Sequence, residues 1–152
     1  MTDNRDILAW LDAAISLREA AAKDAARSYG PRWVRPVDSD MVRVSEDDIW
    51  FQALSDEIAE HIVYNSPEVV LRRCAADRKT LSYYRSLKSI AETPDEEQKT
   101  RQRWKDGRAS AGEMIDALNA GALREHALQS LEALEPVIRN LAEGYGWTEG
   151  GQ

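Results

Sequence analysis

The sequence predicts a mainly α fold. It reads as a single domain over residues 1–152, a bundle of four to five helices with a small β-hairpin after the first helix. Three observations carry this. Apolar residues recur at helical spacing over long stretches, most of them opening on capping residues. One short segment near residues 33–44 is instead rich in valine with a tryptophan, and it straddles a polar turn. The chain has only one cysteine, Cys74, so no internal disulfide holds the fold and a hydrophobic core must do so.

The first helix is placed at about residues 4–29. Asp3 or Asn4 caps it. Ile7, Leu8, Leu11 and Ile15 form its apolar stripe, with Trp10, Ala14 and Leu17 beside them. Gly30-Pro31 stops it. Trp33, Val34 and Val37 then precede Asp38-Ser39-Asp40, and Met41, Val42 and Val44 follow, which predicts a hairpin about that turn. Pro36 confines its strand to an edge. Ser45-x-x-Asp48 reads as a capping box opening a second helix through Ile49, Trp50, Ala53, Leu54, Ile58 and Ile62. Asn65-Ser66-Pro67 closes it and starts a third helix, to about residue 92, with Ser66 as cap and Pro67 at the first helical position. Its stripe is Val70, Cys74, Asp77, Leu81 and Tyr84. Asp77 on that stripe needs an arginine or a hydroxyl partner; Arg5, Arg18 and Tyr84 are the candidates.

Thr93 reads as the cap of a polar segment over about 95–110, either a solvated helix or a flexible excursion, in which Trp104 is the one large apolar residue. Ser110 and Glu113 form another capping box. The helix they open carries Leu123, Leu128, Leu131, Leu134, Val137, Ile138 and Leu141, and Pro136 should kink or restart it. Glycines make the tail from about 144 to 152 loop-like and frayed.

The formal charge is −7, with 43% apolar and 31% charged residues. An acidic pI near 4.9 argues against general nucleic-acid binding. The charge is uneven. Residues 38–60 hold eight acids against Arg43 alone, whereas 72–108 hold eleven basic residues against six acids. No apolar run reaches the length of a membrane span, and Met1–Trp10 lacks the pattern of a secretory signal, so a cytoplasmic protein is expected.

The segment from His61 to Arg72, with His61, Pro67 and the Val69-Val70-Leu71 run, resembles a family of small actinobacterial and actinophage proteins of unknown function. Gly30-Pro31-Arg32-Trp33-Val34 and Leu141-Ala142-Glu143-Gly144-Tyr145 are similar to two further motifs of that family. This chain has Asn65 and Ser66 where the family pattern has a second histidine and an aspartate, which weakens a metal or acid–base role for the motif. The resemblance implies a phage or actinobacterial origin and no particular activity.

No Cys-x-x-Cys or Glu-x-x-His pair supplies a zinc or iron site, and no metal is expected. Cys74 reads as a small core residue. The chemistry that remains is binding. Trp33, Trp50 and Trp104, with Arg101, Arg103 and the acids at 46–48, are the candidates for contact with a host or phage protein. His61, Arg72 and Arg73 join them, and Arg72, Arg73 and Arg78 could take a small anion. A homo-oligomer is compatible with this surface. The alternative is catalytic. Glu57-x-x-Glu60 and Glu113-x-x-Asp116 each put two carboxylates one helical turn apart, which resembles the magnesium-binding pattern of all-α nucleotide pyrophosphatases. That reading needs Mg2+ held by all four. Solvent-facing Trp50 or Trp104 favours the binding reading, and burial of every tryptophan would sink it.

Overall fold

The computed structural model describes residues 4–37, 39–44, 49–94 and 96–148, with side chains from residue 7 onward. Its elements are α1 (Asn4–Tyr29), β1 (Met41–Arg43), β2 (Trp50–Gln52), α2 (Asp56–Tyr64), α3 (Pro67–Ala91), α4 (Glu97–Lys105) and α5 (Ala111–Gly144). The fold is mainly helical, with a two-stranded antiparallel hairpin after the first helix. No helix among the described residues is long and apolar enough to cross a membrane. The chain divides into two compact units: residues 1–79 with 144–152, and residues 80–143.

In the first unit, α1 buries Ile7, Leu8, Leu11 and Ile15, the expected stripe. Leu17 stays exposed. Gly30 follows the helix at φ 77°, a left-handed conformation that costs glycine little and ends the helix. The Pro31 carbonyl then accepts from the Glu68 N–H at 2.8 Å. It thereby satisfies one of the N–H groups that the first turn of α3 leaves without a helical partner. Arg78 ties α3 to α1. Its guanidinium donates to Glu19 at 2.9 and 3.2 Å, to Asp12 at 2.9 Å and to the Ser16 hydroxyl at 2.9 Å.

The hairpin differs from the expected one. β1 lies where predicted, but its partner is Trp50-Phe51-Gln52, in the register Met41↔Gln52, Val42↔Phe51 and Arg43↔Trp50. Val34, expected to head the first strand, makes only an isolated bridge to Arg43. The second helix accordingly starts later. Ser55, not Ser45, is its cap, accepting from the Ile58 N–H at 3.4 Å. Ser45–Asp48 lie outside the described residues, as does Asp38 of the expected turn. The physical reason is ambiguity of period: Ile49, Trp50 and Ala53 fit a helix face, while Ile49, Phe51 and Ala53 fit a strand face equally well. Val42, Ala53 and Ala59 form a small buried cluster, with Trp33, Val44, Ile62 and Val63 packed against it.

In the second unit, Leu81, Tyr84 and Leu87 of α3 are buried, as are Ala117, Ala127 and Ile138 of α5. The expected α5 stripe is only partly right. Leu123, Leu128 and Val137 are exposed, and the buried line runs through Ala127, Ile138 and Ala142. Pro136 does not restart the helix, which continues to Gly144. Thr93 does not cap α4; its hydroxyl donates back to the Ser89 carbonyl, and Glu96 stands at the cap position. The Ser110–Glu113 box forms as predicted. The Glu113 N–H donates to the Ser110 hydroxyl at 3.2 Å, and the Ser110 N–H donates to the Glu113 carboxylate at 2.7 Å. Arg124 Nε donates to the carbonyl of Ala91, the last residue of α3, at 3.2 Å. Gly121 leaves room for the Glu97 carboxylate, whose oxygen would stand 2.7 Å from a Cβ built there.

Candidate binding surface

The hairpin, the end of α1 and α2 enclose a groove of about 420 Å3 in the first unit. Tyr29, Trp33, Val44, Ile49, Trp50, Phe51 and Ile62 line it. The local sequence explains its composition. Backbone bonds from Val44 N–H to Ile49 O and from Ala53 N–H to Asp40 O fix the hydrogen-bonded pairs of the hairpin. With a period of two, Val42, Val44, Ile49, Phe51 and Ala53 therefore share one face. The inner members, Val42 and Ala53, are buried on α2's side of the cluster. The outer ones are not covered: Phe51 is 51% exposed and Ile49 47%, with Tyr29 at 51% and Trp50 at 44%. Four large apolar side chains around one concavity exceed the scattered exposure usual on a protein surface.

Trp33 lines this groove and also a second, smaller one of about 250 Å3 with Arg18, Ala25, Asn65 and Pro67. Its indole Nε1 is buried without a hydrogen-bond partner among the described residues. Such a donor is costly unless an incoming acceptor meets it.

The other candidates are placed as follows. Trp33 and Trp50 come together at the groove. Trp104 is 46% exposed on α4. Of its neighbours, Arg101 pairs with Glu97 and Arg103 with Glu113, at 2.8 Å for the latter. The acids at 46–48 lie outside the described residues. His61 is exposed in the last turn of α2, where Asn65 Nδ2 donates to its carbonyl at 2.8 Å and lies 3.3 Å from its Nε2. Arg72 and Arg73 are exposed on α3, but Arg78 is taken by Glu19 and Asp12.

The four carboxylates of the catalytic alternative are all exposed. Glu57 and Glu60 sit on α2, in the first unit; Glu113 and Asp116 sit on α5, in the second. Glu57 is held below the usual carboxylate range, first by the Ser55 hydroxyl and then by its own backbone N–H. Glu113 is held low by the Ser110 backbone, then the Ser110 hydroxyl, then Arg103. Both thus serve helix starts. Among the described residues, no group of three or more His, Cys, Asp or Glu is placed to hold a metal ion.

Sequence reasoning missed Tyr29, Val44, Ile49 and Ile62 as groove residues. The strand alternation from Ile49 to Ala53 was the signal that could have found Ile49. It also missed Tyr145. The phenol donates to Asp77 at 2.7 Å and lies 3.7 Å from Cys74 Sγ, while the Arg18 guanidinium stacks over its ring at 5.2 Å. Asp77 does therefore have a hydroxyl partner, but from Tyr145 and not from Tyr84. Arg5's side chain lies outside the described residues.

A family model matches residues 4–146. The chain belongs to the family of unknown function DUF6221. The DUF6221 match spans both units and includes Gly30-Pro31-Arg32-Trp33, His61 to Arg72 and Tyr145. No curated protein and no solved structure matches the chain.

Proposed function

We propose that this DUF6221 member is a small cytoplasmic accessory protein that acts by binding a protein partner through the aromatic groove of its first unit. The observation that carries the reading is the exposure of Trp50, Phe51, Ile49 and Tyr29 around one concavity. Aromatic side chains in a pocket are the usual anchors of protein recognition. The partner is a host or phage protein, in line with the origin that the sequence resemblance implies. Nucleic acid fits poorly, because the groove is apolar and the surrounding segment is acidic.

The test is capture from host lysate by immobilised protein. Wild type is compared with the double variant Trp50→Ala/Phe51→Ala and with Trp104→Ala. A partner kept by Trp104→Ala and lost by the double variant supports the groove. Equal capture by all three overturns it, provided circular dichroism shows the double variant folded.

A further inference from the structure

The hydrogen-bond phase of the hairpin says which way each backbone group of β2 points. Ile49, Phe51 and Ala53 face β1, because residues 44 and 49, and residues 40 and 53, are hydrogen-bonded pairs. Trp50 and Gln52 therefore direct their N–H and C=O groups to the opposite side. The same phase is seen on β1, where Arg43 faces away from β2 and exchanges both bonds with Val34, at 2.8 and 3.0 Å. The order is Val34, β1, β2, and among the described residues no strand lies beyond β2. Two donors and two acceptors thus stand in a row at an open edge, beside the apolar groove that Trp50 and Phe51 line.

We propose that this edge takes an extended segment of a partner protein as an added strand, with apolar residues alternating with lysine or arginine. The extended form follows from the backbone. Donors and acceptors at every second residue match a strand, and a helix has none to offer at that spacing. Alternation follows too, since one face of an added strand meets the groove and the other meets solvent. The basic character follows from charge. Of the eight acids in residues 38–60, Asp38 and those at 46–48 lie outside the described residues and Asp56 is paired with Arg35; Glu57 and Glu60 are exposed, and the Asp40 carboxylate lies 3.1 Å from the Gln52 side chain at one end of the edge. A second copy of this chain is the poorer occupant. It would set the same acid-rich segment against itself, over an edge of only three residues, far short of the area that a stable dimer needs.

The inference rests on the groove as a partner site, and its test separates the two. The full chain, isotope-labelled, is titrated with a short synthetic peptide of alternating lysine and valine. Three controls run beside it: glutamate in place of lysine, alternate backbone nitrogens methylated, and the protein alone over a concentration series. The expected result is selective movement of the Trp50 and Gln52 amide signals with the lysine peptide. Methylation should weaken binding by roughly tenfold, the loss of one or two backbone hydrogen bonds. Equal binding of the methylated or the glutamate peptide overturns the proposal, as does movement of those amides with protein concentration alone. Absence of any shift overturns it too. If lysate capture still depends on Trp50 and Phe51 in that case, the groove stands and the added strand falls.

Discussion

At Tyr145 one phenol serves two side chains of α3. It donates to the half-buried Asp77 and approaches the fully buried Cys74. Burial, then the hydrogen bond to Asp77, pushes the phenol's ionisation well above its ordinary value of 10.0. The folded protein therefore holds this proton more tightly than the unfolded chain does. The stability this contributes is fully present below pH 10 and is lost as pH rises above it. Tyr145→Phe should cost about 1–2 kcal/mol at neutral pH, because Asp77 keeps its partial burial and loses a donor. It should also flatten the alkaline limb of the stability curve. Urea unfolding across pH 7 to 11 checks both; an unchanged alkaline limb would remove the phenol from the account. The need of Asp77 for a partner was legible, because it shares a stripe with Cys74 and Leu81. The partner was not. It lies 68 residues further on, and no helical or strand period relates two positions that far apart.

At the scale of the element, capping chemistry was the most readable signal. The end of α1 follows from Gly30-Pro31, the start of α3 from Ser66-Pro67 and the start of α5 from Ser110 and Glu113. Ser110→Ala should cost about 1 kcal/mol through loss of the bond from the Glu113 N–H. The Glu113 carboxylate, depressed by Ser110 and Arg103, stabilises the fold above the usual value of 4.5 and ceases to do so as pH falls below it. An acid titration followed by circular dichroism should show wild type losing stability there more steeply than Ser110→Ala. The hairpin was read only in outline. Its first strand was found, and its second was given to a helix. The three residues Trp50-Phe51-Gln52 are too few for alternation to outweigh a competing helical pattern. With the strand goes most of the groove, although the chemistry of Trp33 and Trp50 alone marks two of its aromatics as binding candidates.

For the whole molecule, both catalytic and binding readings make a statement about ligands. A partner that binds the folded state alone must raise the melting temperature by mass action. Magnesium with nucleotides should leave it unchanged, since Glu57 and Glu113 are committed to helix starts. A rise that needs both magnesium and nucleotide would restore the hydrolase reading and direct mutations to Glu57, Glu60, Glu113 and Asp116. The mainly helical class and the place of the hairpin were legible because periodicity and capping act locally. The division at Lys79 and Thr80, inside α3, was not, because local periodicity runs through it without a break.

That division has a consequence for biosynthesis. The first unit draws on residues 1–79 and on the stretch from Gly144 onward, so the order of the chain is not the order of its assembly. On the ribosome, α1, the hairpin and the start of α3 emerge early, and Arg78 can already meet Asp12 and Glu19. Asp77 and Cys74 must wait until all of α5 has been made. A chain truncated after Glu143 would hold every residue of the second unit and lack part of the first. It would leave Asp77 without the Tyr145 hydroxyl.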